Sequence, residues 1–212
     1  MADELTSTAT RPYRKRRRAE QEAETRQRIT EAAMRLHGTV GPAHTTISDV
    51  AAEAGVQRGT VYRHFPDAES LFLACSAHWA SLNPPPNPSA WAQIADPDER
   101  LRHALAEMYR WYEWAEPMLV NVTRDAEAVP ALLREGTQQR REAAVAALLH
   151  GRRSRGRARA REAATIAHAL DFAAWRSLVR QHGLEPDEVV ELMAVLVDAA
   201  AGAGPTRRSR HP

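Results

Sequence analysis

The sequence predicts an all-α fold, on three observations. Apolar residues recur at three- and four-residue spacing, long Val/Ile/Thr alternation is missing, and alanine, leucine and arginine dominate the composition. At 212 residues the chain holds one substantial core, or a small domain joined to a larger one. An apolar content of 43% fits a soluble globular protein. No stretch approaches the ~18 uninterrupted apolar residues that span a bilayer, so no membrane partner is expected. The basic start has no apolar region after it, as a secretory leader would, and a cytoplasmic location is expected. Cys75 has no second cysteine to pair with and sits on an apolar helical face, where a small core residue is expected.

Taken in order, Ile29, Ala33 and Leu36 mark a first helix from about Ala19 to His37, stopped at Gly38. Thr46 opens a second helix, with Asp49 three residues on completing a capping box, and Ile47, Val50, Ala51 and Ala54 form its apolar face. Gly55 ends it after two turns. A third helix follows from Gln57 to about His64, burying Val61 and Phe65, and a fourth runs from about Asp67 to Leu82. The segment Asn83 to Ser89 (NPPPNPS) cannot continue a helix and reads as the main linker. Longer helices are expected at 97–115, 118–127, 130–149, 158–182 and 186–202, with Pro117 breaking the first pair and Gly183 and Pro186 separating the last.

Thr45 to Phe72 (TTISDVAAEAGVQRGTVYRHFPDAESLF) therefore reads as two short amphipathic helices meeting at a tight turn on Gly55. That is the helix-turn-helix arrangement, whose second helix lies in the DNA major groove while the first crosses the backbone. The second helix is polar at Gln57, Arg58, Thr60 and Arg63, and Gly59 removes a side chain where a close approach to the groove helps.

The segment resembles the tetracycline-repressor (TetR) family, whose signature is met by Thr46, Val50, Ala51, Ala54, Gly55, Val56, Gly59, Thr60, Val61, Tyr62, His64, Phe65 and Leu71. The preceding helix, from Thr25, fits the family's first helix, and the likeness covers roughly residues 20–75. The resemblance implies that Thr46, Tyr62 and His64 meet phosphates while Gln57, Arg58 and Thr60 face base edges, with Gly59 and Arg63 in the same interface. Arg58 is the best candidate for direct readout, because its fork matches guanine O6 and N7. The family's basic residue at the start of the fourth helix is replaced by Ala68. The run Arg11–Arg18, with six basic residues, is expected to compensate by reaching an adjacent minor groove.

The expected organisation is a basic flexible arm at 1–21 and a three-helix DNA-binding domain at 22–82, its helix-turn-helix at about 45–64. A larger helical ligand-binding and dimerisation domain at 90–203 and a basic tail at 204–212 complete it. The resemblance implies a homodimer through the last two long helices, a pseudo-palindromic double-stranded DNA operator, and a repressor released by a small ligand. A regulator of the same fold without a small-molecule effector, or an activator, is the alternative. Trp79, Met108, Tyr112, Phe172 and Trp175 are candidates to line a pocket for an apolar or aromatic ligand, with Arg124 as an orienting group. A Gly-rich phosphate loop, G-x-S-x-G and H-E-x-x-H are all missing, and the nine histidines lack helical metal-pair spacing. No enzyme, cofactor or metal is expected.

Overall fold

The computed structural model describes residues 10–82 and 84–202. The tail at 204–212 and the first nine residues of the arm lie outside the described residues. All regular structure among the described residues is helical. None of these helices is long and apolar enough to cross a membrane. The chain forms two compact units, one of residues up to 83 together with Val120–Pro130, the other of Pro84–Leu119 and residues from Ala131 on. The division falls at the proline segment, but it also returns Val120–Pro130 to the first unit, which bounds of 22–82 and 90–203 do not provide for.

The first unit contains α1 (Thr10–Thr39), α2 (Ile47–Glu53), α3 (Arg58–His64) and α4 (Ala68–Leu82). Its core joins Ile29, Ala32 and Ala33 of α1 to Val50, Ala51, Ala54, Val61, Phe65, Leu71 and Cys75. α1 begins well before Ala19, so Tyr13 to Arg18 are helical rather than a flexible arm. Arg, Glu, Gln and Ala are good helix formers, and the pairs Arg16–Glu20 (2.9 Å) and Arg18–Glu22 (3.1 Å) each bridge one turn.

A buried imidazole and thiol meet between α1 and α4. Cys75 Sγ lies 3.4 Å from His37 Nδ1, and the His37 ring stands 4.6 Å from Phe72. Burial pushes the Cys75 thiol up to about 12 and His37 down from 6.5 to about 4. The unfolded chain therefore takes up the His37 proton first. The neutral imidazole's contribution is whole above pH 6.5 and is lost as the pH falls toward 4, a change of about 3 kcal/mol. Urea midpoints at pH 7.5 and pH 5 should differ in the wild type, and His37→Leu should remove that part of the difference. An undiminished pH dependence in the variant would show that the acid sensitivity lies elsewhere.

The first unit is closed by the end of a helix that starts in the second. Asn121 Nδ2 donates to the Gly38 carbonyl (2.8 Å), Arg124 Nη2 to the Val40 carbonyl (2.8 Å), and the Ala43 N–H to Asp125 Oδ2 (3.1 Å). Arg124 Nε also donates to Asp125 Oδ1 at 2.7 Å, which chiefly holds the Asp125 carboxyl down at about 2. Gly41 has φ +99, and a Cβ there would stand 2.1 Å from Arg124 Nη2. Glycine is required by both the backbone and the side chains folded over it.

The second unit contains α5 (Pro88–Trp91), α6 (Pro97–Arg124) as far as Leu119, α7 (Ala131–Leu149), α8 (Gly156–Ala169), α9 (Phe172–Arg176) and α10 (Pro186–Gly202). α5 starts inside the expected linker, with Asn87 accepting the Ser89 N–H at its N-terminus and Pro88 in the first turn. Two boundaries differ from the sequence reading. Pro117 lies within an unbroken α6. Proline removes one ladder bond, and both Pro117 and Glu113, the residue whose carbonyl is freed, are exposed to water. The helix expected at 158–182 instead stops at Leu170. Asp171 caps α9 by accepting the Ala173 N–H (2.8 Å), and the freed carbonyls of Ala169 and Leu170 accept the Tyr109 and Tyr112 hydroxyls. Polar partners pay for the interruption. A π-helical turn, Ser177–Gln181, follows α9 and ends before Gly183 in the left-handed conformation.

Two buried arginines hold the ends of this bundle. Arg100 is 2% exposed and gives its guanidinium to carbonyls, among them Ile94 (2.6 Å) and His150 at the end of α7 (2.6 Å). Arg152, in the basic segment after α7, is buried against Asp98 (2.8 Å), Glu162 (3.1 Å) and Asp198 (3.3 Å).

Candidate nucleic-acid interface

The α2–turn–α3 segment is built by local chemistry. The Thr46 hydroxyl donates to the Asp49 carboxylate (2.6 Å), the Asp49 N–H donates to Thr46 Oγ1 (3.2 Å), and the Thr46 N–H donates back to the carboxylate (2.9 Å). This reciprocal cap starts α2, and the Thr46 hydroxyl chiefly holds the Asp49 carboxyl below its ordinary range. The hydroxyl expected at a phosphate is thus engaged by Asp49. At the other end Gly55 takes φ +66. The Val56 N–H then reaches the Ala51 carbonyl (2.9 Å) and the Gly55 N–H the Ala52 carbonyl (3.1 Å). Those two bonds are a Schellman closure, and Val56 packs back on the core beside Ala51.

α3 then has one buried edge and one free face. Val61 and Phe65, four residues apart, are buried. Gln57, Arg58, Gly59, Tyr62 and Arg63 are exposed, and Thr60 and His64 half-buried. Gln57 caps the helix without a side-chain hydrogen bond. Arg58 Nη2 donates to the Tyr62 hydroxyl (3.2 Å) with its guanidinium 5.6 Å from that ring, and Arg63 Nη2 donates to Thr60 Oγ1 (2.9 Å). These i, i+4 and i, i+3 contacts keep two forked donors on the surface. A Cβ at Gly59 would meet nothing within 4 Å among the described residues. Internal packing therefore does not require glycine there.

One residue of this interface was not legible in the sequence. Arg26, on α1, donates from Nη1 to the carbonyl of His64, the last residue of α3, at 2.6 Å, and its guanidinium lies 4.0 Å from the Phe65 ring. It satisfies an orphan carbonyl at the negative end of α3 and ties that end to α1. The only signal was its place three residues before Ile29, on the side of α1 that turns inward.

The pocket candidates separate. Tyr112, Phe172 and Trp175 come together in the second unit, with ring centroids 5.4 Å, 5.6 Å and 5.7 Å apart, and Met108 packs against the same core. Trp79 lies on α4 and Arg124 in the Asp125 cluster, both in the first unit. Arg124 is engaged by Asp125 and the Val40 carbonyl. Trp175 is fully buried, and its indole N–H has no hydrogen-bond partner among the described residues.

Comparison with known proteins agrees with this geometry. The model of the family described as "Bacterial regulatory proteins, tetR family" matches residues 29–75. The HTH-type transcriptional regulator AcrR of Shigella flexneri is 46% identical over 57 residues, 26% of this chain and 26% of that protein. The chain matches about a quarter of the length of such curated relatives. Solved structures extend the likeness to most of the fold. A TetR-like transcriptional regulator from Rhodococcus sp. RHA1 aligns at TM-score 0.59 and 20% identity, covering 84% of this chain and 97% of that one. NalD of Pseudomonas aeruginosa, described as the secondary repressor of the MexAB-OprM multidrug efflux pump, aligns at TM-score 0.57 and 21% identity, covering 85% and 97%. Residues 29–75 therefore match the tetR family of bacterial regulatory proteins, and the chain has the fold those solved structures share.

Proposed function

We propose that the chain is a homodimeric, sequence-specific DNA-binding repressor that acts in the cytoplasm and leaves a palindromic operator when a small apolar or aromatic ligand binds. The observation that carries this reading is α3. It is a short helix anchored by Val61 and Phe65, with Gln57, Arg58, Gly59, Tyr62 and Arg63 all exposed along its free face. Repression is favoured by what NalD is described as doing. No catalysis, cofactor or metal forms part of the reading.

Dimerisation is supported by an apolar stripe on α10. Leu192, Val195 and Leu196 are 39%, 60% and 43% exposed, at i, i+3 and i+4, although each is a residue that burial favours. α8 packs beside α10 and exposes Ala160, Ala164 and His168 at four-residue steps. Leucines of one protomer over alanines of its partner would make an isologous four-helix contact. Val195→Arg combined with Leu196→Glu should convert the dimer to monomer in sedimentation without lowering helix content. A variant that stays dimeric would place the interface elsewhere.

The effector reading is supported by Trp175. Its unpartnered indole N–H within the aromatic cluster suits a planar ligand carrying one hydrogen-bond acceptor. Coupling must be reciprocal, so operator DNA should weaken ligand binding by the factor that ligand weakens DNA binding.

Fluorescence anisotropy with DNA flanking the chain's own gene, against a shuffled control at two salt concentrations, tests the DNA-binding reading. Tight, salt-dependent preference for the native sequence is expected. Equal weak binding to both DNAs would reject sequence-specific control at that site.

A further inference from the structure

The first turns of α1 carry a charge arrangement that the helix itself disfavours. Arg14, Lys15, Arg16, Arg17 and Arg18 stand in succession near its N-terminus, with Glu20, Glu22 and Glu24 following. The first turn holds no acidic residue. Cations at the positive end of the helix dipole are unfavourable, as are like charges three and four apart, such as Arg14 with Arg17 and Arg18. The two ion pairs present, Arg16–Glu20 and Arg18–Glu22, have the weaker order, base before acid. Residues 13–24 are all exposed, so burial does not offset these terms within the chain. Anions gathered around this end would reverse every one of them.

The position of the block selects the anion. Arg26 fixes α1 against the carbonyl end of α3 through its 2.6 Å bond to His64. Residues 14–18 lie eight to twelve positions before Arg26 on the same helix, about 12–18 Å further along its axis. At ~100° per residue five successive side chains surround the helix, so any docked side presents two or three charges.

We infer that the N-terminal turns of α1 form a second DNA-contact element, binding backbone phosphates beyond the bases that α3 reads. The inference rests on the DNA-binding reading above and deepens it. The helical state also decides the mode of contact. An α-helix with its side chains is ~10 Å across and the minor groove ~6 Å wide, so Tyr13–Arg18 cannot thread that groove as an extended arm would. The contacts are to phosphates, and point charges suffice.

The test uses the full chain and the DNA flanking its gene. One variant replaces Arg14, Lys15, Arg16, Arg17 and Arg18 together by Gln, and a second replaces the four arginines by Lys. Each neutralised phosphate contributes about −0.9 to the slope of log affinity against log salt, so with two or three contacts from each protomer of the dimer the Gln variant should show a slope shallower by about 4–5. Its affinity at low salt should fall at least tenfold, with the ratio of native to shuffled DNA unchanged. The Lys variant should retain both slope and affinity. A slope unchanged in the Gln variant, while the wild type still prefers native DNA, overturns this inference alone. Loss of slope in the Lys variant as well would overturn it in favour of arginine-specific groove contact. An unchanged DNA slope with lost binding to phosphatidylserine-containing vesicles would overturn it in favour of a membrane. A wild type that fails to distinguish native from shuffled DNA defeats the underlying DNA-binding reading instead.

Discussion

Arg152→Ala should destabilise the second unit by about 3–5 kcal/mol, the scale for removing one partner of a buried ion pair. The Glu162 side chain is 1% exposed, and Arg152 is the cation that faces it at 3.1 Å. The Ser154 hydroxyl also donates to Glu162 but brings no charge. Without Arg152 the carboxylate is left buried and uncompensated, while Asp98 and Asp198, each about half exposed, return to water. Arg152→Met combined with Glu162→Leu should recover most of the loss, because a whole buried pair can be replaced by apolar groups at little net cost. Urea unfolding followed by tryptophan fluorescence at one fixed protein concentration checks both variants. A loss below about 1 kcal/mol in the single variant, or a double variant as unstable as the single, would contradict the charge argument.

Gly59→Ala should raise stability while lowering DNA affinity. Glycine inside a helix costs about 0.5–1 kcal/mol relative to alanine. A Cβ at Gly59 meets nothing within 4 Å, so the methyl group is accommodated without strain. The same methyl stands on the exposed face between Arg58 and Tyr62, where the proposed DNA-binding mode brings a groove to the backbone. A rise in thermal midpoint with at least a tenfold loss of affinity for native DNA is expected. A stabilised variant with undiminished affinity would show that α3 does not approach DNA at Gly59.

What was legible in the sequence was local. Thr46 with Asp49 and Gly55 with Val56 encode the start of α2 and the turn after it in side chains three residues apart or nearer, and the structure contains both devices. Val61 and Phe65 similarly separate the buried edge of α3 from its free face. What was hidden depends on partners far along the chain. Pro117 reads as a break because its neighbours in sequence do not reveal that the lost bond faces water. Leu170 reads as mid-helix because the hydroxyls that donate to the freed carbonyls belong to Tyr109 and Tyr112, about sixty residues earlier. Arg152 looks like one more solvated arginine until Asp98, Glu162 and Asp198 are brought to it. Among the site residues, α3 was found by its motif. The Arg26 contact was not, since it joins residues 38 positions apart.

The most direct test of base readout by α3 is a titration of wild type and Arg58→Ala against native DNA and a panel with each base pair replaced in turn. Arg58 presents its fork from the exposed face of α3 beside Tyr62. The expected result is a loss of about 1–3 kcal/mol per half-site on native DNA, with discrimination abolished at one guanine in each half-site and intact elsewhere. A variant that binds native DNA as tightly as wild type, with the same preference at every position, would contradict base readout by Arg58 and remove the main support for α3 as the reading helix.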